Sequence, residues 1–294
     1  MSNEFIIGQT SETSEVDKTG EISEVSEPSL FRNRETVEKF SVREAREVAN
    51  DTYDRAVEQL MVTKGEYLSE QGFERLEAGV DHLEVVEPNE NSRTIGTFSF
   101  HEGSSTITVC AINKEQVERT TQHEVNHFAS YNKEIQVEPS DEGMEGKQFM
   151  RTSGIREYEY YESPNGSVCM LKDSNRGFNE GITQMYTIRQ LRDIDEQKGI
   201  NALRQNGYAH ATELVEQVEE AVGEDVISRA YYGGDLKGLE DRLDEMGGKG
   251  TFDTLSRCMD EVTYSSSYID RMIAMRDANE VLASISEGGQ NEDT

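Results

Sequence analysis

The sequence predicts an α+β fold, in which a half that contains sheets is followed by an all-helical half. Apolar and polar residues alternate between residues 93 and 111, which is typical of strands. From residue 178 onward, apolar residues recur at the spacing of amphipathic helices. We find no internal repeat, and strands that are grouped before helices indicate an α+β protein.

The acidic composition limits the classes of partner. The formal net charge is −30, and the acidic residues are spread over the whole chain. Nucleic acids and anionic membranes both require a basic face, so we expect neither as a partner. The charge suits a neutral or cationic substrate, and the composition leaves the oligomeric state open.

Both ends of the chain are predicted to lie outside the folded part. Residues 1–33 are rich in Ser, Thr and Glu and contain few large apolar groups, so we expect a disordered acidic leader. We expect a frayed tail over residues 286–294 for the same reason. Between them, residues 34–175 are predicted to form the α+β part and residues 176–285 the helical part.

The cysteines and the first residues bear on the compartment. Cys110, Cys169 and Cys258 are odd in number and far apart, which argues against a disulfide frame and against a cysteine-based zinc site. No basic segment followed by an apolar core indicates a signal peptide, and no apolar run approaches membrane-spanning length. We therefore expect a cytoplasmic protein, or one exported without a standard signal peptide.

The first predicted elements are two helices and a hairpin. Residues 41–44 form an S-x-x-E capping box, and apolar residues then recur at helical spacing, which predicts a helix over 42–62. The pattern predicts a weaker helix over 66–83. The alternating residues of 93–111 predict a β-hairpin.

A helix, a loop and a second hairpin are predicted next. Asn113, with a glutamine three residues later, predicts the start of the helix that follows the first hairpin. Residues 133–150 are polar and contain glycine, so we expect a loop. A second hairpin is predicted over 155–162 and 167–172, with Pro-Asn-Gly at 164–166 as its turn.

The remainder of the chain is predicted to be helical. The candidate helices cover residues 179–196, 209–222, 224–232, 235–246, 251–264 and 267–284. Gly223, Gly233 and Gly247 follow three of them, where a left-handed C-cap favours glycine.

An H-E-x-x-H motif lies on the helix predicted after Asn113. His123 and His127 are four residues apart, so on a helix they lie on one face and can direct two imidazole nitrogens to one point. Two ligands of a tetrahedral Zn²⁺ have this arrangement. Glu124 is placed to reach a water on the metal without being a ligand. The motif is typical of zinc metallopeptidases.

A zinc hydrolase needs a third protein ligand, because a catalytic site has three ligands and one open position. The candidates are His82, His101, His210 and a carboxylate on another helix. The segment 177–187, Gly-Phe-Asn-Glu-Gly-Ile-Thr-Gln-Met-Tyr-Thr, supplies the best candidate in its glutamate, Glu180.

A glutamate in an N-E-x-x-T setting, about fifty residues beyond an H-E-x-x-H motif, resembles the third-ligand motif of gluzincins, the zincin-fold metallopeptidases with two His and one Glu on zinc. A hairpin that leads into the motif helix also resembles the zincin layout, in which an edge strand lines the substrate cleft. The resemblance covers roughly residues 90–190. A weaker likeness to small bacterial gluzincin-like proteins extends over 208–245, including Tyr208 and the segment 230–235.

The resemblance implies a zincin-like core with a small antiparallel or mixed sheet, followed by a helical C-terminal subdomain. It implies that His123, His127 and Glu180 hold Zn²⁺ and that Glu124 is the general base. The chemistry agrees with this set, because two neutral imidazoles and one carboxylate leave the bound ion with a net positive charge.

The residue that stabilises the oxyanion is less well defined by the sequence. Gluzincins commonly use a Tyr or His from outside the zinc motifs, and Tyr160, Tyr161 and Tyr186 are candidates. Tyr208 and His210 precede the strongly amphipathic helix at 211–222, in a position that can fold back over the site, so we favour one of these two.

We therefore expect a zinc-dependent peptidase that acts on a peptide or protein substrate. One alternative is a non-catalytic zinc-binding module, a pseudo-protease whose helical half binds a partner. A second alternative is a zinc amidohydrolase that acts on a small substrate. The presence of Glu124 in the motif argues against the pseudo-protease.

Overall fold

A computed structural model of the chain describes residues 40–88, 95–101, 103–138 and 146–288. The predicted acidic leader at 1–33 lies outside these ranges, as do residues 289–294 of the predicted tail. The last helix reaches Gly288, so helical structure continues into the segment that we expected to fray.

The described residues form an α+β fold with two small sheets and a helical C-terminal region. The α-helices are α1 (Val42–Lys64), α2 (Glu70–Ala78), α3 (Lys114–Ala129), α4 (Arg176–Ile194), α5 (Glu196–Arg204), α6 (Ala209–Val222), α7 (Glu224–Gly233), α8 (Leu236–Gly247), α9 (Thr251–Tyr264) and α10 (Tyr268–Gly288). The strands are β1 (His82–Val86), β2 (Gly96–His101), β3 (Ser104–Cys110), β4 (Asn132–Val137), β5 (Lys147–Ser153), β6 (Arg156–Glu162) and β7 (Val168–Ser174). None of the described helices is long and apolar enough to cross a membrane.

The two sheets have different topologies. In the first sheet the strand order is β1-β3-β2, with β3 parallel to β1 and antiparallel to β2. Ile107 and Val109 of β3 are buried and alternate with less buried residues, as one covered sheet face requires. The second sheet is the antiparallel meander β4-β5-β6-β7.

The predicted N-terminal helix is confirmed, and the element after it is shorter than expected. The Ser41 hydroxyl accepts from the Glu44 N–H at 3.2 Å, and the Glu44 carboxylate accepts from the Ser41 N–H at 2.9 Å. These reciprocal bonds satisfy two free donors at the start of α1. The helix predicted over 66–83 is instead a short 3-10 turn at Gly65–Tyr67, followed by α2 and strand β1.

The prediction of a loop over 133–150 is wrong. Strands β4 and β5 lie there, and residues 139–145 between them are outside the described ranges. One face of this sheet is exposed, since Ile135 and Met150, which pair across the two strands, are both exposed. A strand with an exposed face can carry many polar residues, so polarity alone did not indicate a loop. Buried Gln148 and Phe149 interrupt the alternation that would have indicated a strand.

The helical half follows the predicted order, with one additional helix. Helix α5 begins at an Asp195 N-cap, whose carboxylate accepts from the Gln197 N–H at 2.8 Å. Gly223 ends α6 with a φ of 93°. After α7 and α8, the residues with positive φ are Gly234 and Gly248, each one position later than predicted.

One hydrophobic core is shared by the two halves. It joins Val125 and Phe128 of α3 to Phe178 of α4, Val215 of α6 and Met259 of α9, all of them buried. The boundary that we predicted at residues 175 and 176 therefore separates two types of element but crosses a continuous core.

Gly177 permits a close contact between α4 and α9. A Cβ at this position would lie 2.3 Å from the Met259 carbonyl oxygen and 2.8 Å from the Asp260 nitrogen. We expect Gly177→Ala to lower the free energy of unfolding by about 1–3 kcal/mol, because backbone atoms must move apart. Urea denaturation of this variant and of Gly65→Ala tests it. Gly65 has no neighbouring atom within 4 Å of such a Cβ, so equal stabilities of the two variants would contradict the prediction.

Candidate metal centre

Helix α3 positions the two histidines of the motif. It begins at Asn113, whose side chain accepts from the Gln116 N–H at 2.9 Å, as the sequence predicted. Its second half is almost entirely buried between the first sheet and α4. The His123 and His127 side chains are only 12% and 11% exposed, so both point toward the interior side of the helix.

Helix α4 positions Glu180, and its start is fixed by two asparagines. Asn175 adopts a left-handed conformation with φ 61°, which asparagine tolerates better than most residues, and its amide donates to the Ile155 carbonyl at 3.0 Å. The side chain of Asn179 accepts from the Ile155 N–H at 3.1 Å. These bonds join the first turn of α4 to the start of strand β6.

A buried amide network joins α3 to α4. Asn126, the fourth residue of the motif, donates to the Gln190 side chain at 2.8 Å and to the Thr187 hydroxyl at 3.1 Å. The Asn126 side-chain oxygen accepts from the Gln190 amide at 3.1 Å and from the Tyr232 hydroxyl at 3.0 Å. Buried amides that are paired in this way fix the relative position of the helices that carry them.

The two helices bring three of the predicted residues together. His123 Nε2 lies 3.2 Å from His127 Nε2 and 3.3 Å from Glu180 Oε2, and His127 Nε2 lies 3.5 Å from the same carboxylate oxygen. Ligands about 2.05 Å from a tetrahedral zinc are about 3.3 Å from each other. The three donor atoms therefore fit the edges of a tetrahedral zinc site, and the chemical types of the donors fit as well.

Outer hydrogen bonds determine which nitrogen of each ring is free. His123 Nδ1 lies 3.1 Å from the Gln184 side-chain oxygen, which can only accept, so Nδ1 carries the proton. Thr183 donates to the Asn179 carbonyl at 2.8 Å, so its oxygen accepts from the Tyr231 hydroxyl at 2.7 Å and from His127 Nδ1 at 3.4 Å. Both Nε2 atoms are then unprotonated, and Gln184 and Thr183 hold the rings in place as outer partners of metal ligands do.

Three lone-pair acceptors thus converge without a donor between them, which is an arrangement that a cation stabilises. Burial raises the pKa of Glu180, but the charge and hydrogen bonds that the His127 and His123 rings supply when they are doubly protonated outweigh burial and hold the pKa well below its usual range. Glu180 is therefore a carboxylate at neutral pH, which is the form that binds a metal ion.

Glu124 lies on the neighbouring face of α3, against strand β2. Its pKa is raised to about 7, mainly by burial and also by the Glu180 charge, although His123 and a hydrogen bond with the Phe98 backbone oppose the rise. A carboxyl with a pKa near neutrality exchanges protons readily at physiological pH, as a general base must.

Strand β2 approaches α3 closely enough to require glycine. A Cβ at Gly96 would lie 2.2 Å from Thr120 Cγ2 and 2.8 Å from Glu124 Oε1. The backbone of β2 therefore forms one wall of the space around the Glu124 carboxyl. In the strand order of its sheet, β2 is at an edge.

Of the two favoured oxyanion donors, the structure places Tyr208 at the site. Its ring stacks on that of His123, with 6.0 Å between ring centroids and an interplanar angle of 14°. The charge of Glu180, followed by burial, raises the pKa of Tyr208, so the phenol keeps its proton. His210 is exposed on α6. Tyr186 is buried and hydrogen-bonded to Ser228 instead.

The remaining candidates lie elsewhere. His82 is exposed at the start of β1. His101, at the end of β2, is within 3.4 Å of the Glu134 carboxylate, which also accepts from the Tyr160 hydroxyl at 2.6 Å. Tyr161 follows Tyr160 on β6. His101 and Tyr160 thus belong to a contact between the two sheets.

Several residues of the site were not predicted. Gln184 lies four residues after Glu180, so helical spacing alone would have placed it on the same face. Tyr231 entered the prediction only as part of a short segment of likeness. Arg176, four residues before Glu180 on the same helix, carries no motif, and only the packing of α9 beside α4 brings Tyr264 to Arg176 and near Glu180.

No protein-family model, curated protein or solved structure matches this chain in comparisons with known proteins. The resemblance to gluzincins therefore rests on the two short motifs. The arrangement of His123, His127 and Glu180 is an observation that is independent of that resemblance.

Removal of the Glu180 carboxylate tests the centre. We expect the wild-type protein to bind one equivalent of Zn²⁺ and Glu180→Gln to bind it more weakly by at least about 100-fold, which exceeds the usual effect of losing an outer partner. Competition with a chromogenic chelator measures the affinity, and elemental analysis after dialysis identifies the metal.

The control is Glu115→Gln, a glutamate on α3 that is exposed and accepts a hydrogen bond from the Gln205 side chain. It should bind zinc as the wild type does. Full zinc affinity in a folded Glu180→Gln protein would mean that the third ligand is another residue.

Proposed function

We propose that the protein is a zinc-dependent peptidase with a zincin-like catalytic core. The observation that carries this proposal is the set of three acceptor atoms, 3.2–3.5 Å apart, with the Glu124 carboxyl beside them. His123, His127 and Glu180 would hold the ion. When bound, Zn²⁺ supplies a Lewis acid that acidifies water and polarises a carbonyl.

Glu124 would act as the general base and then as the proton shuttle. It takes a proton from the attacking water and passes it to the departing amine nitrogen. Its burial against β2 supports this role, because a carboxyl whose pKa is raised to about 7 is matched to both proton transfers.

Tyr208 would stabilise the oxyanion that develops on the scissile carbonyl. A phenol whose pKa is raised keeps its proton and can donate a hydrogen bond to the oxygen as negative charge accumulates. Its stacking on His123 places the side chain beside the ligand set rather than on the outer surface.

The edge strand β2 would bind the substrate backbone. Among the described residues, no strand pairs with its outer side, and the Phe98 backbone already contacts Glu124. An extended peptide that pairs with β2 would therefore pass the base. This geometry favours a peptide or protein substrate over a small amide.

Glu124→Gln separates a peptidase from a non-catalytic zinc module. We expect the variant to bind zinc normally and to lose hydrolysis by about 10²–10⁴-fold, because the amide cannot accept the proton. Cleavage of a broad peptide library by the zinc-loaded proteins, read by mass spectrometry, measures it, with Glu115→Gln as the control. Stoichiometric zinc without cleavage by the wild-type protein would disprove the peptidase. Hydrolysis of only small amides would indicate the amidohydrolase.

Tyr208→Phe tests the oxyanion donor. We expect kcat to fall roughly 100-fold, with little change in KM or zinc content, because the lost hydrogen bond forms mainly in the transition state. Tyr268→Phe, which removes an exposed hydroxyl on α10, is the control. If His210 is the donor instead, His210→Ala will show the loss and Tyr208→Phe will not.

A further inference from the structure

An arginine lies in the first turn of α4, one turn before Glu180 and on the same face of the helix. The Arg176 guanidinium is centred 4.1 Å from the ring centroid of Tyr264, at the end of α9. This stacking holds the guanidinium plane and leaves its edges for hydrogen bonds. Tyr264 is 39% exposed, so the pair is at the surface of the site rather than in the core.

The Arg176 guanidinium has no hydrogen-bond acceptor among the described residues. Its Nε is buried without a partner, and Arg176 as a whole is only half-buried. Nearby Arg156, by contrast, forms a two-pronged pair with Asp173, with both N–O distances at 2.7 Å. Asp260, the other carboxylate close by, accepts from the Gly177 N–H and forms no ion pair with Arg176.

Arg176 lies four residues before Glu180 on α4, so the two side chains leave the same face of the helix. Burial and then the Glu180 charge raise the pKa of Tyr264, and Arg176 opposes the rise. The Glu180 charge and the Arg176 guanidinium therefore both act on the Tyr264 phenol.

We propose that Arg176 forms a carboxylate-binding subsite beside the metal centre, so that the favoured substrates are peptides with a carboxylate close to the cleaved bond. This inference rests on the proposed peptidase function and specifies its substrate class. The carboxylate is either the C-terminal one or that of an Asp or Glu side chain, since a guanidinium binds both in the same two-pronged manner.

The local charge accounts for a preference that the net charge of −30 does not suggest. An acidic surface repels anionic peptides at long range. In physiological salt this repulsion is largely screened at distances beyond about 10 Å. At short range a carboxylate meets an arginine that forms no ion pair with an acid among the described residues. Desolvation beside Tyr264 strengthens such a pair relative to one in open solvent.

Binding to the metal-free protein isolates the subsite, because a carboxylate can also bind zinc directly. Peptide pools are synthesised in two pairs of twins. In the first pair, one pool has C-terminal carboxylates and its twin has C-terminal amides. In the second pair, one pool contains an internal Glu and its twin an internal Gln. We expect one acidic pool to bind about tenfold more tightly than its twin in fluorescence anisotropy. The pair that shows the difference identifies the source of the carboxylate.

Arg176→Gln should remove that difference and Arg176→Lys should keep part of it, because lysine retains the charge but not the planar fork. The control Arg192→Gln lies on the same helix, in an ion pair with Glu196, and should behave as the wild type. Equal binding of both twin pairs by the wild-type protein would overturn the subsite, a result that needs no variant to fold.

Cleavage of the same pools by the zinc-loaded protein distinguishes the two proposals. A binding preference without cleavage of any pool leaves the carboxylate subsite supported and disproves the peptidase. Cleavage of both twins at equal rates, together with equal binding, supports the peptidase and overturns the subsite. If both proposals hold, the acidic pool is cleaved about tenfold faster and Arg176→Gln brings the ratio close to one.

Discussion

The contact between α3 and α4 is the constraint on which the rest of the structure depends. Neither helix holds more than two of the three acceptor atoms, and the amides of Asn126 and Gln190 fix how the helices meet. An amide pair with both partners satisfied tolerates neither sliding nor rotation without leaving a buried polar group unpaired. The acceptor positions, which must agree within about 0.5 Å for a metal site, are therefore fixed by residues of the same two helices that are not themselves acceptors of the set.

The motif itself contributes to this arrangement. Asn126 occupies a variable position of H-E-x-x-H, yet it makes the central hydrogen bonds of the amide network. His123 and His127 of the same motif supply two of the three converging acceptor atoms. One short segment thus supplies two of the three converging acceptors, the proposed base and the anchor to the second helix. The outer bonds from Gln184 and Thr183 then determine the tautomers, so ring orientation and proton position follow from the same packing.

The sequence predicted the elements that have a clear period or a cap, and it missed those defined by pairing. The capping box at Ser41 and the Asn113 cap marked their helices because the signal is local. Strand β1 was missed because it pairs with a parallel strand, β3, whose partner residues follow 24 positions later in the sequence, as His82 and Thr106 do. The same limit applies to the site: the ligand set follows from two motifs, whereas Arg176 and Tyr264 meet only through the packing of α9 on α4.

The helical half takes part in the site as much as the sheets do. Tyr208 precedes α6, Tyr231 belongs to α7 and Tyr264 ends α9, and each of these phenols is affected by the Glu180 charge. A buried carboxylate surrounded by phenols in place of water keeps a stronger field than it would in solvent. A helical subdomain that only covered the metal centre would not contribute tyrosine side chains near Glu180. The shared core and the three tyrosines together indicate that the centre forms only when both halves fold as one unit.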